Sequence, residues 1–131
     1  LSSGVNPLSA AQLMDECSPA NKQYTKVLWH KNKTLLVRRF IPLEEVPGIF
    51  DMIMGTIVRP EKSLLFPELK DFAIRAAIVS GYALVDFPDT VEKQYELLYT
   101  TDLFDTVLKT ANKAQVQSII DAVDFCLRNK G

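Results

Sequence analysis

The apolar residues of this chain change their period once, near residue 42, and that change constrains the fold more than any other feature. Before it, two short runs rich in β-branched and aromatic residues flank a polar insert. They are Lys26-Val27-Leu28-Trp29-His30 and Thr34-Leu35-Leu36-Val37-Arg38-Arg39-Phe40, around Lys31-Asn32-Lys33. Such a pattern reads as a β-hairpin. Side chains alternate along a strand, so Val27 and Trp29 share one face, Leu28 and His30 the other. A lone hairpin is marginal in water. This one must pack on helices or gain strands from another copy or a partner.

Beyond residue 42 the spacing is helical. Leu43-Glu44-Glu45-Val46-Pro47-Gly48 opens a helix. The glutamates suit its positive end, and Pro47 is tolerated only in the first turn. Val46, Ile49, Phe50, Ile53 and Ile57 form its stripe, and the polar loop Arg59-Pro60-Glu61-Lys62-Ser63 ends it. Pro67 opens a second helix bearing Leu69, Phe72, Ala73, Ala76, Ala77 and Val79 or Ser80, with Gly81 letting a neighbouring backbone approach and Tyr82 just past Gly81. Asp89 with Glu92 signals the cap of a third helix, Thr90 to Tyr99, with Val91, Tyr95 and Leu98 on one face. Thr100 and Thr101 cap a short fourth helix bearing Leu103, Phe104, Val107 and Leu108. Asn112 with Gln115 forms a capping box for the last helix, whose seam is Val116, Ile119, Ile120, Val123 and Leu127. Arg128 and Lys130 sit at its negative end.

Residues 1–23, rich in Ser, Ala, Asn, Pro and Gln, read as a flexible arm. Ser9 with Gln12 predicts a short helix over about residues 10–17, ended by Pro19. A length of 131 residues suits one domain. The expected architecture is therefore α+β: a hairpin over 24–41 packed on a bundle of four to five helices over 43–130, within a single domain 24–131.

Residues with chemistry are few. One histidine and two cysteines exclude most zinc and haem sites built by a single chain. His30 lies in a strand between Trp29 and Lys31, a place for a surface or packing residue rather than a catalytic base. Spacing leaves a bond between Cys17 and Cys126 open. Both read as free thiols, Cys17 in the arm and Cys126 in the core of the last helix. Gly4, Gly48, Gly55, Gly81 and Gly131 are scattered and make no phosphate loop. Asp102 with Asp105, and Asp121 with Asp124, share helix faces but lack a third ligand. The residues thus point to no catalytic, cofactor or metal site. No apolar run approaches the ~20 residues that span a bilayer, so no membrane role is expected. Residues 1–7 have neither the basic nor the apolar region of a signal peptide, and the start without Met suits a fragment or processed product. Asn32-Lys33-Thr34 matches a glycosylation sequon without a secretory context.

Charge is distributed unevenly. Between Cys17 and Leu43 stand six cations and no acid: Lys22, Lys26, Lys31, Lys33, Arg38 and Arg39. From Glu44 onward there are 14 acids against nine cations, a formal −5. A basic hairpin beside an acidic bundle admits three readings. It is a solvated edge guarded against aggregation, a patch for nucleic acid with Trp29, Tyr24 and Phe40 stacking on bases, or one half of a head-to-tail contact between copies. The candidate partner-binding residues are Lys26, Trp29, His30, Lys31, Lys33, Arg38 and Arg39.

Several segments resemble small proteins encoded by tailed phages and prophages of Gram-positive and gut bacteria. They are Phe66-Pro67-Glu68-Leu69-Lys70-Asp71-Phe72-Ala73-Ile74-Arg75, Tyr82-Ala83, Phe87-Pro88-Asp89, and the stretch from Glu92 to Asp105 (Glu92-Lys93-Gln94-Tyr95-Glu96-Leu97-Leu98-Tyr99 and Thr100-Thr101-Asp102-Leu103-Phe104-Asp105). Pro42-Leu43-Glu44-Glu45 and Asn112-Lys113-Ala114-Gln115 are similar too. The resemblance covers about residues 26–130, leaves the arm outside, and carries no catalytic motif or site residue. It implies a non-enzymatic structural or assembly role: head–tail connection, tail completion or chaperoning of tail assembly. The implied partners are further copies or other virion components, in the host cytoplasm during assembly and then in the virion.

Overall fold

The structure is a computed structural model that describes residues 7, 9–29, 31–59, 64–65 and 69–130. In chain order the elements are α1 (Ala10–Lys22), β1 (Tyr24–Trp29), β2 (Lys33–Arg38), a 3-10 turn (Leu43–Glu45) and α2 (Val46–Ile57). Then come β3 (Val58–Arg59), β4 (Leu64–Leu65), α3 (Lys70–Tyr82), β5 (Ala83–Leu84), α4 (Val91–Thr100), α5 (Leu103–Thr110) and α6 (Lys113–Lys130). A small antiparallel sheet near the N-terminus is followed by helices, the α+β layout expected.

The sheet order is β1–β2–β5. β1 and β2 pair from Tyr24↔Arg38 to Trp29↔Lys33, and Lys31 and Asn32 make the turn at φ 52° and 68°. The third strand comes from this chain itself, with Val37 opposite Ala83 and Leu36 opposite Leu84. The hairpin is thus supported internally, by a strand and by helices. Its inner face carries Val27, Trp29, Leu35 and Val37, of which Leu35 and Val37 are fully in the core.

α3 is the centre of the bundle. Nine of its residues, from Phe72 to Tyr82, are buried, so it is apolar nearly all round rather than amphipathic. Around it lie Ile53 and Ile57 of α2, Leu98 of α4, Leu103 and Val107 of α5, and Val116, Ile119 and Val123 of α6. At Gly81 side chains rather than a neighbouring backbone come close: a Cβ on it would lie 2.6 Å from Ile41 Cδ1 and 3.0 Å from Ile49 Cδ1.

Several local expectations shift. α1 starts as read, with Gln12 N–H donating to Ser9 Oγ at 3.3 Å, but it runs through Pro19 to Lys22. A proline forfeits one rung of the ladder, and the rungs on either side carry the helix past it. It still costs an interior helix about 3 kcal/mol, and residues 10–16 of this helix are all exposed. Leu43–Glu45 is a 3-10 turn, and α2 begins at Val46 with Pro47 in its first turn. Tyr82, just past Gly81, is the last residue of α3 and is completely buried. Thr90, not Asp89, caps α4 by accepting from Lys93 N–H. Thr101 supports the start of α5, accepting from Leu103 N–H at 3.3 Å, while Thr100 turns back to the Glu96 carbonyl. Cys126 is a free thiol, but half-buried rather than in the core. Arg59, expected to open the polar loop after α2, instead pairs with Leu64 in a short antiparallel ladder of β3 and β4. The opening of the second helix at Pro67, residues 60–63 of that loop, the position of His30 and the Cys17 side chain lie outside the described residues.

Candidate interaction surface

Strand alternation and register together divide the hairpin residues between two faces. The inner face pairs Thr25↔Val37, Val27↔Leu35 and Trp29↔Lys33; the outer face pairs Tyr24↔Arg38, Lys26↔Leu36 and Leu28↔Thr34, with Leu84 beside Leu36. The seven candidate residues therefore do not form one patch. Lys26 stands on the outer face, exposed. Lys31 and Lys33 are exposed at the turn, and Arg39 is exposed just past β2.

Two candidates are engaged within the chain. Trp29 is half-buried on the inner face, and its indole N–H donates to Asp102 Oδ1 at 2.6 Å, tying the hairpin to the start of α5. Arg38 is only 8% exposed. Its Nε donates to the Gly81 carbonyl at 3.0 Å, and Nη2 lies 2.7 Å from Glu45 Oε1. Its guanidinium sits 5.3 Å from the Tyr24 ring centroid. The hydrogen bond from Arg38 holds the Glu45 carboxyl below its usual range and raises the Arg38 pKa in turn. Arg38 is a clamp joining β2, α3 and the 3-10 turn, and a partner cannot use it without opening the fold. Sequence position gives no sign of this, because the Arg38–Arg39 pair reads as two equivalent cations.

The unclamped remainder of the outer face is apolar with one cation. Leu28 is 71% exposed and Leu84 56%, Leu36 between them is half-buried, and Lys26 lies alongside. Leu43, 78% exposed, belongs to the turn fastened to this sheet through Glu45. β1 pairs with β2 on one side only, and along residues 24–28 its other edge carries no strand among the described residues. The sheet's opposite edge, β5, runs into an acidic connection where Asp86, Asp89 and Glu92 are exposed.

Linear charge does not map simply onto the surface. Arg39 of the hairpin segment lines one cleft with Lys109 and Lys113 of the bundle. The basic surface thus continues over the α5–α6 junction instead of stopping at residue 43. Among the described residues no group of three or more His, Cys, Asp or Glu is placed to hold a metal ion. Asp102 receives Trp29, Asp121 accepts from Gln117 at 2.9 Å, and Asp124 pairs with Lys70.

One cluster escaped the sequence reading. Arg75 lies between the rings of Tyr99 and Phe104, 4.8 and 4.7 Å from their centroids, and its Nε donates to Asp71 Oδ2 at 2.8 Å. The Tyr99 hydroxyl donates to the same oxygen. Burial, followed by this hydrogen bond, pushes the Tyr99 phenol up to about 12. Tyr95 stacks on Tyr99 at 4.5 Å. The four-residue spacings Asp71/Arg75 and Tyr95/Tyr99 were visible signals, but which helices they would join was not. The cluster bonds α3, α4 and α5 to one another, and its polar groups are occupied internally.

Comparison with protein-family models, with curated proteins and with solved structures gives no match. Among the described residues no helix is long and apolar enough to cross a membrane.

Proposed function

We propose that this chain is a non-enzymatic assembly component of the tailed-phage or prophage type, acting through protein contacts made at the hairpin. The observation that carries the reading is the β1 side of the sheet. Along residues 24–28 an open edge lies beside exposed Lys26 and Leu28, which offers backbone hydrogen bonds, an apolar contact and a charge together. An added strand would gain affinity from the backbone ladder and specificity from acidic groups placed against Lys26, Lys31 and Lys33. The chain carries such groups itself, on the connection after β5, which suits a second copy as partner. Head–tail connection, tail completion and tail-assembly chaperoning remain the roles proposed from the resemblance, with the host cytoplasm and then the virion as the location. Nucleic acid is the weaker alternative. Arg38 is withdrawn into the fold, Trp29 faces inward, and leucines rather than aromatic rings interleave the exposed cations.

Amide hydrogen exchange tests the reading. Exchange at residues 24–28 is expected to slow several-fold at the concentration where the native mass rises. Association that leaves those amides unprotected would place the contact elsewhere and overturn the proposal.

A further inference from the structure

We infer that α1 of one copy docks on the outer sheet face of a second copy, so that the arm is an exchanged element rather than a loose tail. The inference rests on the assembly reading above and names its partner.

Among the described residues, helix and sheet each present an exposed apolar surface. α1 has 13 residues with a proline inside, and its residues 10–16 are all exposed. Helices this short are marginal in water unless an apolar face packs. Ala10, Leu13 and Met14 are spaced to make such a face, with Leu13 43% and Met14 59% exposed. On the sheet, Leu28, Leu36 and Leu84 form the complementary surface. The dimensions agree: 13 helical residues and six strand residues each span roughly 20 Å.

The connection argues that the occupant is another copy. Only Gln23 separates Lys22 from Tyr24. Returning a helix onto an adjoining strand ordinarily takes a loop of about 2–6 residues, so a chain's own α1 could cover its own β1 only by unwinding its last turn. A second copy has no such restriction, and it supplies one helix for every sheet face. Charge agrees as well. Asp15 and Glu16 are the only acids before Glu44, while the hairpin is basic. Glu16 falls on the flank of the Ala10–Leu13–Met14 stripe, placed to meet Lys26 at the edge of the sheet, and Asp15 faces solvent.

Site-directed crosslinking tests this on the full chain. Cys17→Ser and Cys126→Ser remove the native thiols; Met14→Cys and Leu28→Cys are then introduced into separate chains, mixed and mildly oxidised. The inference expects a disulfide-linked pair between the two variants, several-fold more abundant than either variant's self-crosslink. A further variant carrying both Met14→Cys and Leu28→Cys controls for the chain's own arm: a bond formed only within that single chain, with none between the separate variants, would show that the arm folds onto its own sheet and overturn the inference. Absence of any bond would overturn it too. The unsubstituted chain provides an independent readout: helical signal in circular dichroism should fall on dilution together with native mass. A constant helical signal through dissociation would contradict docking of α1. A multimer that persists without the crosslink would remove arm exchange alone, whereas a monomer at every concentration would remove both it and self-assembly through the hairpin.

Discussion

Gln115 of α6 holds both backbone groups of Ile41, the residue that leads out of the hairpin segment. Ile41 N–H donates to Gln115 Oε1 at 2.9 Å, and Gln115 Nε2 donates to the Ile41 carbonyl at 2.8 Å. Ile41 is fully buried, so these bonds replace water that its backbone cannot reach. The Tyr82 hydroxyl donates to the same Oε1 at 2.5 Å, and burial pushes that phenol above its usual range. One side chain thereby joins the end of the sheet segment, the central helix and the last helix. Gln115→Ala should destabilise the protein by about 2–4 kcal/mol, since two buried backbone groups lose their partners. Gln115→Glu should recover stability as pH falls. Only the protonated carboxyl can donate to the Ile41 carbonyl, so its folded pKa is raised and the contribution is present at low pH. Urea unfolding at several pH values reads both effects.

Gly81 sits where Ile41 and Ile49 converge on α3. Gly81→Ala should cost about 1–3 kcal/mol despite the better helix propensity of alanine, because the new Cβ meets Ile41 Cδ1 at 2.6 Å. Ile41→Val removes that methyl group. The double variant should therefore be more stable than the sum of the single effects allows, and a double-mutant cycle in thermal unfolding measures the difference.

Adjacent arginines should behave oppositely. Arg38→Gln breaks the clamp on Glu45 and Gly81 and should cost about 2 kcal/mol. Arg39→Glu changes an exposed cation and should leave stability within about 0.5 kcal/mol. Glu45 adds a pH signature. Its folded pKa is depressed, so its contribution is full above the ordinary glutamate range and is lost as pH falls through the depressed value. Glu45→Gln should flatten the acid limb of stability below about pH 4.5, as chemical denaturation across that range would record.

Much of the architecture was legible because periodicity reports burial. The hairpin, the helices and the seam of α6 all follow from spacing. Where the reading failed, a long-range partner decided the outcome. Asn112 and Gln115 looked like a reciprocal capping box, and Asn112 Oδ1 does accept from Gln115 N–H at 3.0 Å. The glutamine side chain, however, turns to Ile41, which lies 74 residues away. Arg38 seemed as available as Arg39 until Glu45 and Gly81 folded against it. β5 is two residues long and has no pattern of its own; it is a strand only because β2 lies beside it. The interaction surface was half legible. Its cations are plain in the sequence, while the exposed leucines that flank them needed the register.

Trp29 is the only tryptophan in the chain, which makes its bond to Asp102 directly observable. Asp102→Ala should destabilise by about 1 kcal/mol and shift Trp29 emission to longer wavelength as the indole loosens from α5. Trp29→Phe keeps the ring packing and should cost little more than the bond itself. Unchanged emission in Asp102→Ala would show that packing alone orients the indole.

Native mass by light scattering after size exclusion, for the full chain beside a Lys26→Glu/Leu28→Lys variant, tests the central claim most directly. Working contacts at the hairpin predict a discrete multimer for the unaltered chain, loosened by salt, and for the variant a monomer that still unfolds cooperatively, with its helical circular dichroism lowered by no more than the share of α1. A multimer of equal mass in both proteins, or a monomer in both at every concentration, would contradict the account.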